Sequence, residues 1–263
     1  MSQQKNIPYL DSTSGSFHPQ RNLLDMYWPA VTENCPVLIF IHGGTWISGS
    51  KDMYAALGDN FASKGMVTAI INYRLGDIAS YSQMADDCAA AVKWVYENAK
   101  RYNGNPNRIC ISGHSAGGHL AALVTLDQAY FNKLHMVNPV KACLLIDAFG
   151  LNMETIIKSP LVTMYRSYIA KVFTNDSLQW KNASPVTHVH QKQVPFYIAT
   201  GNNSYPFLLS DNEVFIQKLR NLDAKVVVEK IPGKNHAEMI AQLQQSSNML
   251  YNRMISFITD HTQ

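Results

Sequence analysis

Short apolar runs alternate with longer amphipathic segments along most of this chain. Runs that are apolar throughout are typical of strands buried on both faces. Six of them predict strands: residues 36–44, 65–74, 107–115, 140–150, 194–202 and 224–233. The other segments have apolar residues at helical spacing and predict helices over 82–102, directly after 107–115, over 210–222 and from about 246.

This alternation predicts an α/β fold with a mostly parallel, doubly wound sheet and helices on both faces. Ligands bind such sheets at the carboxyl ends of the strands. The 263 residues are enough for one large domain, so we expect a single domain over 1–263. Residues 151–190 are rich in Met, Ile, Tyr and Phe. They predict a short helical, cap-like insertion that shapes a pocket for compact substrates.

Composition and charge argue against several classes of partner. Apolar residues make up 46% and charged residues 16%, as in ordinary globular proteins, and the net charge is only +3 without a basic run. We therefore expect no nucleic acid partner. Neither His-Glu-x-x-His nor Cys-x-x-Cys occurs, so we expect no metal and no other cofactor. The pattern does not set the oligomeric state.

The four cysteines lie far apart in or beside apolar stretches, which favours buried free thiols over disulfides. They are Cys35, Cys88, Cys110 and Cys143. The first residues lack the apolar core of a signal peptide, and no run approaches the roughly 18 apolar residues of a membrane span. The expected location is the cytoplasm, or the periplasm or exterior if an export signal has been removed.

The segment "GHSAG" (113–117) marks the first chemical candidate. It fits Gly-x-Ser-x-Gly between a predicted strand and a predicted helix, where a sharp turn exposes a nucleophilic serine. Gly113 and Gly117 leave room for that turn around Ser115. The backbone N–H of Ala116 then faces a developing oxyanion, and the helix adds the positive end of its dipole.

The segment "HGGTW" (42–46) follows the first long strand. Paired glycines let the backbone approach a substrate and turn its N–H groups inward. One such donor is worth about 3 kcal/mol at a transition state. By itself the pair would be an ordinary turn. Beside a serine at a neighbouring strand end, it predicts an oxyanion hole.

The motifs "HGGTW", "NYRL" (72–75) and "GHSAGGHLAA" resemble those of the α/β-hydrolase fold. They are most similar to small serine esterases related to hormone-sensitive lipase and to kynurenine formamidase. The resemblance covers about 20–260 and is strongest over 36–125.

The resemblance implies an oxyanion hole formed by Gly43, Gly44 and Ala116, with Thr45 as a further candidate. It also implies that Trp46 lines the acyl or leaving-group pocket, although core packing explains a tryptophan there equally well. His114, which precedes the serine, is expected in the same substrate pocket.

His236 is the candidate base. It lies in "PGKNHAEMI" (232–240), a polar loop between the last predicted strand and the last helical region. In this fold the order along the chain is serine, acid, histidine, and His236 is the only histidine in that loop. Its Nε2 would take the proton of Ser115 and return it to the leaving group.

The acid is not set by a motif. The family that this chain resembles usually carries an aspartate in a Gly-x-x-Asp loop after the seventh strand. Here the residue three after Gly201 is Ser204. Asp147 is the leading candidate, because a charge that closes an apolar strand needs a polar partner. Asp211 is a second one, although Ser210 and Glu213 predict a capping box that would explain a carboxylate in a first helical turn. A neutral Asn203 or Ser204 is the third.

These residues predict a serine hydrolase that cleaves small carboxylic esters through an acyl-enzyme intermediate. Two alternatives stay open at this point. One is an arylformamidase acting on amides of the N-formylkynurenine type, since His-Gly-Gly-x-Trp does not separate amide from ester. The other is a catalytically weak homologue that binds a ligand, which the missing Gly-x-x-Asp suggests.

Overall fold

Eight strands form one sheet in the computed structural model of the chain, which describes residues 1–159 and 166–262. They are β1 (Ser2–Pro8), β2 (Leu23–Trp28), β3 (Cys35–Ile41), β4 (Val67–Ile71), β5 (Gly104–His114), β6 (Val140–Ile146), β7 (Phe196–Gly201) and β8 (Val226–Ile231). Their order across the sheet is β1-β2-β4-β3-β5-β6-β7-β8. β2 is antiparallel to both of its neighbours, and all other pairs are parallel.

Ten α-helices connect or follow these strands within the described residues. They are α1 (Ala55–Ser63), α2 (Tyr81–Asn98), α3 (Ala116–Leu126), α4 (Ala129–Asn132), α5 (Met153–Lys158), α6 (Arg166–Phe173), α7 (Ser177–Asn182), α8 (Pro206–Arg220), α9 (His236–Ala241) and α10 (Met249–His261). Short 3-10 turns occupy Lys51–Tyr54, Ala99–Tyr102, Pro185–Thr187 and Gln242–Gln244.

Two apolar cores lie on opposite faces of the sheet. In β3, Val37 and Ile39 belong to the core that contains residues of α2, α3 and α8. Leu38 and Phe40 belong to the other core, which is built with α1 and α10. Side chains alternate between the faces of a strand, so a strand covered by helices on both sides must be apolar throughout. The predicted mostly parallel, doubly wound α/β class is confirmed.

The first two strands were not predicted from the apolar pattern. β1 is an edge strand with one buried residue, Ile7, so it has no apolar run. β2 is buried, but Asp25 interrupts it. Oδ1 of Asp25 pairs with Lys51, whose Nζ lies 2.8 Å away in the interior. The strand pairs with β1 and β4 on its two sides, and this buried charge has its partner in a distant segment.

The predicted start of the helix over 210–222 is wrong. α8 begins at Pro206, with Tyr205 as its N-cap, so Ser210 lies inside the helix and forms no capping box. Proline suits the first helical position because it has no N–H to leave unpaired. Asp211 is therefore not in the first turn, and its carboxylate needs another explanation.

Helices α5, α6 and α7 lie between β6 and β7, where the cap-like insertion over 151–190 was predicted. Residues 160–165 of that segment lie outside the described residues. Phe173 at the end of α6 is buried and contacts Trp46 and Tyr81 at ring-centroid distances of 4.8 and 5.3 Å. This part of the insertion thus packs against the turn that follows β3.

The thiols of all four cysteines are free and buried, as predicted. Over residues 1–159 and 166–262, no helix has both the length and the apolar character needed to cross a bilayer. The same described residues contain no group of three or more His, Cys, Asp or Glu side chains placed to hold a metal ion.

Candidate active site

Ser115, His236 and Asp147 form a hydrogen-bonded chain at the carboxyl edge of the sheet. Nε2 of His236 lies 2.9 Å from Oγ of Ser115, and Nδ1 lies 2.7 Å from Oδ2 of Asp147. Ser115 follows β5, Asp147 follows the adjacent β6, and His236 is the first residue of α9. The parallel order of β5 and β6 brings the two strand ends together. The structure therefore unites the nucleophile, base and leading acid that the sequence nominates.

Ser115 lies on a sharp turn between β5 and α3. Its φ of 56° and ψ of −123° are rare for a residue with a side chain and cost conformational energy, as is typical of functional sites. A Cβ at Gly113 would overlap the backbone of Gly117, and one at Gly117 would overlap the carbonyls of Ile41 and His42. Both glycines are thus required by backbone contacts that hold the serine at the tip of the turn.

Asp147 has no solvent-exposed surface. Its N–H donates to the Ala199 carbonyl at 2.8 Å, which continues the β6–β7 pairing one residue beyond the strand. Its Oδ1 accepts the N–H of Gly201 at 2.9 Å. A buried carboxylate is costly unless it is hydrogen-bonded, and the Gly201 N–H, the Ser204 hydroxyl and His236 satisfy this one.

Neither of the other two candidates, the neutral Asn203 or Ser204 and the carboxylate of Asp211, forms a hydrogen bond with His236 among the described residues. Ser204 donates its hydroxyl proton to Oδ2 of Asp147, while Asn203 is exposed. Asp211 accepts the N–H groups of Leu151 and Asn152 at 2.8 and 2.9 Å. Burial raises the pKa of Asp211 to about 6, against the effect of those backbone donors. Asp211 anchors the start of the β6–β7 insertion and does not contact His236.

The turn after β3 carries N–H groups that have no protein acceptor among the described residues. These are the N–H groups of Gly44 and Thr45. The first N–H of α3, on Ala116, also has no protein acceptor. Gly44, Thr45 and Trp46 have φ values of 126°, 53° and 61°, so three successive residues adopt the left-handed conformation. Such strain and unpaired donors beside a nucleophile are suited to an oxyanion.

Gly43 differs from the prediction that its N–H belongs to the oxyanion hole. That N–H donates to Oη of Tyr54 at 3.2 Å. Gly43 instead provides space: an added Cβ would lie 3.2 Å from Cβ of Ser115 and 2.9 Å from the His114 carbonyl oxygen. The N–H groups of Gly44, Thr45 and Ala116 remain available to a ligand, and Gly43 allows the turn and the serine to approach closely.

His42 is buried and braces the same turn. Its Nδ1 donates to the Gly43 carbonyl at 2.8 Å, and its Nε2 accepts from the Arg21 guanidinium at 3.2 Å. Its ring stacks on Tyr73 at 4.4 Å, and the Tyr73 hydroxyl donates to the His42 carbonyl. Burial lowers the pKa of His42 to about 3, so the ring is neutral and can accept from Arg21.

His114 was expected to line the substrate pocket, but it is only 6% exposed. Its ring packs on that of His236 at 4.7 Å, and its Nε2 donates to the His236 carbonyl at 3.1 Å. Burial lowers the pKa of His114 to about 3, which keeps this ring neutral. His114 is therefore a buried residue that packs on the ring of the candidate base and donates a hydrogen bond to its backbone.

Trp46 has no exposed surface, so the structure places it in the core and not on an open pocket. Its Nε1 donates to Nδ1 of His119 at 3.2 Å, and Nε2 of His119 donates to the Ala183 carbonyl at 2.7 Å. Burial lowers the pKa of His119 to about 4. This neutral histidine connects the turn after β3, helix α3 and the β6–β7 insertion.

A row of aromatic side chains leads from His236 toward the nucleophile. Tyr205 is 53% exposed and lies 5.4 Å from the His236 ring. It stacks on Phe207 at 5.4 Å, and Phe207 contacts Phe149 edge-on at 5.6 Å. The N–H of Phe149 donates to the Ser115 carbonyl at 3.2 Å. The site thus has an apolar, aromatic flank.

Sequence reasoning did not identify Arg21, Tyr54 or the donor role of Ser204. Tyr73, which contacts His42, lies in the motif "NYRL", so the sequence did mark this residue. Arg21 and Tyr54 stand in segments without a motif, and only the folded chain brings them to the turn after β3.

Comparison with known proteins places this geometry in a family. The family profile described as BD-FAE matches residues 24–219. A probable isoprenylcysteine alpha-carbonyl methylesterase of Oryza sativa subsp. japonica is 31% identical over 255 residues, which cover 90% of this chain and 61% of that protein. Esterase LipC of Mycobacterium tuberculosis is 26% identical, with 78% of this chain and 53% of that protein covered. The chain spans 50–61% of the length of the plant relatives it matches.

Solved structures share the fold over nearly the whole chain. Esterase B from Lactobacillus rhamnosis, inhibited by a tributyrin phosphonate, gives a TM-score of 0.83 at 20% identity and covers 99% of this chain and 86% of that one. A truncated carbohydrate esterase from gut microbiota also gives 0.83, at 22% identity, covering 100% and 96%. The expected α/β-hydrolase fold is confirmed. The profile match covers well over half of this chain, and the chain therefore belongs to the BD-FAE family.

Proposed function

We propose that this chain is a serine esterase that hydrolyses small carboxylic esters through an acyl-enzyme intermediate. The observation that carries the proposal is the hydrogen-bonded chain from Ser115 through His236 to Asp147. It lies beside the unpaired N–H groups of Gly44 and Ala116. A nucleophile, an oriented base and oxyanion donors in one place are the parts that acyl transfer requires.

Acylation begins when Oγ of Ser115 attacks the ester carbonyl carbon and its proton passes to Nε2 of His236. The carbonyl oxygen becomes an oxyanion that accepts from the N–H groups of Gly44, Thr45 and Ala116. Asp147 stabilises the imidazolium through Nδ1. When the bond to the leaving oxygen breaks, His236 returns the proton to that oxygen, and the alcohol departs.

Deacylation repeats these steps with water. His236 takes a proton from the water as its oxygen attacks the acyl carbon of the Ser115 ester. The tetrahedral intermediate uses the same donors, and its collapse returns the proton from Nε2 to Oγ of Ser115. The products are a carboxylic acid and the free serine, so the cycle needs no added cofactor.

Named relatives support ester hydrolysis. Besides the methylesterase and LipC, LipM of Mycobacterium tuberculosis is described as a probable carboxylic ester hydrolase and is 28% identical over 216 residues. The β6–β7 insertion contributes only short helices among its described residues, and the flank of Tyr205 and Phe207 is apolar. These features favour compact ester substrates over long lipids.

A fluorophosphonate probe followed by mass spectrometry tests the proposal, because the probe phosphonylates only an activated serine. The expected result is labelling at Ser115 together with hydrolysis of p-nitrophenyl acetate. Both should be lost in Ser115→Ala and retained in Ser210→Ala, which removes an exposed hydroxyl from α8. No labelling of the folded wild-type chain would point to a ligand-binding homologue. Faster turnover of N-formylkynurenine than of any small ester would point to an arylformamidase.

A further inference from the structure

The turn over residues 201–204, which we call the clamp turn, lies between the acid and the loop that carries the base. It occupies the place where the sequence lacks the expected aspartate. Ser204 at its end is buried, whereas Asn202 and Asn203 in its middle are exposed. The N–H of Ser204 donates to the Gly201 carbonyl at 3.1 Å, which closes the turn and sets the direction of the Ser204 side chain.

On one side, the clamp turn holds Asp147 at both carboxylate oxygens. The N–H of Gly201 donates to Oδ1 at 2.9 Å, and the Ser204 hydroxyl donates to Oδ2. Oδ2 is also the acceptor for Nδ1 of His236. Two donors from one short turn therefore fix the plane of the carboxylate and leave one direction of Oδ2 for the histidine.

On the other side, the clamp turn holds the loop before His236. The N–H of Asn203 donates to the Lys234 carbonyl at 3.0 Å, and Oδ1 of Asn202 accepts from the N–H of Gly233 at 2.7 Å. A Cβ at Gly201 would overlap the Lys234 carbonyl, so the two segments are in close backbone contact. The same four residues therefore hold both the acid and the loop that carries the base in place.

We propose that Ser204 is a positioning residue of the site: its hydroxyl holds Oδ2 of Asp147 in line with Nδ1 of His236. This inference rests on the proposed esterase function. The hydroxyl also donates to a carboxylate that has no solvent-exposed surface and needs hydrogen-bond donors from the protein. Ser204 acts through Asp147 and does not touch the reacting atoms.

The test compares Ser204→Ala with wild type, Ser204→Thr and Ser210→Ala in p-nitrophenyl acetate hydrolysis from pH 5 to 8. Ser204→Ala should lower kcat about tenfold with little change in KM, because a hydrogen bond to a charged group is lost while substrate contacts remain. Ser204→Thr keeps the hydroxyl and should recover most of the activity. Ser210→Ala should match wild type.

The pH profile separates positioning from a general packing role. Without the Ser204 donor, the charge of Asp147 acts more strongly on the remaining proton at Nδ1, so the imidazolium is stabilised. The acid limb of kcat/KM should therefore move to higher pH in Ser204→Ala and stay in place in Ser204→Thr. His114 and Tyr205 are the other titratable side chains packed on His236. Burial lowers the pKa of His114 to about 3, so this limb is not its titration.

The outcomes are distinct. An active wild type with an unchanged kcat and an unchanged acid limb in folded Ser204→Ala overturns the positioning role and leaves the esterase proposal intact. An equal loss of activity in Ser204→Ala and Ser204→Thr, without a shift of the limb, also overturns it. A wild type that neither reacts with the fluorophosphonate nor hydrolyses esters overturns both proposals. Circular dichroism of each variant establishes folding beforehand.

Discussion

Oδ2 of Asp147 lies 2.7 Å from Nδ1 of His236, although the two residues are 89 positions apart in the chain. The contact spans the carboxyl end of β6 and the start of α9. It gives the site a carboxylate on the strand next to the nucleophile's strand. The end of the next strand, β7, and the clamp turn after it contribute donors to that carboxylate in place of an acid.

Replacing Asp147 by asparagine should lower kcat for p-nitrophenyl acetate by about 10² or more. The amide cannot stabilise the imidazolium and can favour the wrong tautomer of His236, an exchange that costs about 10⁴ in a serine protease. Initial rates and circular dichroism check this. Asp211→Asn is the matched control, since Asp211 binds backbone N–H groups away from His236. It should keep turnover within a few-fold, and a reversed result would make Asp211 the acid.

Moving the carboxylate to position 204 should restore part of the lost activity. Oγ of Ser204 is in hydrogen-bond contact with Oδ2 of Asp147, so an aspartate at 204 can place an oxygen close to the present position of Oδ2. We expect Asp147→Ser to be nearly inactive and the Asp147→Ser/Ser204→Asp double variant to be at least about tenfold faster, since an ionised partner of the histidine is restored. Steady-state kinetics of both variants decide it. A double variant no faster than Asp147→Ser would show that position 204 cannot serve as the acid position.

Placing alanine at Gly43 should impair turnover more than binding. The added Cβ would lie 3.2 Å from Cβ of Ser115, closer than ordinary van der Waals contact, and 2.9 Å from the His114 carbonyl oxygen, so the turn that carries the nucleophile must shift. A displacement of about 1 Å at a reacting atom can cost about 10² in rate. Kinetics should show the loss in kcat. Gly15→Ala, at an open position, is the control and should behave as wild type. Normal turnover of Gly43→Ala would mean that the turn relaxes freely.

Local patterns predicted the parts of this site that depend on local structure. Apolar runs predicted six strands because β3 to β7 lie inside the sheet, and the edge strand β8 still begins with three valines. Gly113 and Gly117 mark a turn that only small residues permit. His236 could be predicted as the base because it lies in a polar loop after the last predicted strand. The structure brings it to Ser115, as the sequence proposed.

Other features depend on contacts between distant segments. The sequence ranked Asp147 ahead of Asp211 and Ser204 as the acid, but what separates these residues is which of them contacts His236 in space. The Gly43 N–H donates to Tyr54, and the buried Asp25 of β2 pairs with Lys51. Neither partner is marked by a motif.

Three buried neutral histidines should make the fold sensitive to acid. Burial lowers the pKa of His42 and His114 to about 3 and that of His119 to about 4, whereas an unfolded histidine titrates near 6.5. The unfolded chain therefore binds more protons than the native chain below about pH 6.5. The stability that these residues contribute is present above that pH and is lost as the pH falls toward 3 to 4.

Asp211 opposes this trend. Its folded pKa of about 6 exceeds the ordinary value, so the native chain binds about one extra proton between about pH 4 and 6. Near pH 5.5 the net uptake on unfolding is about two protons, a slope of about 3 kcal/mol per pH unit. Urea unfolding at pH 6.0, 5.5 and 5.0 measures it. In Asp211→Asn the slope should rise to about 4 kcal/mol per pH unit, because the opposing proton is gone. A free energy of unfolding that is flat over this range would show that the histidines are charged in the native state.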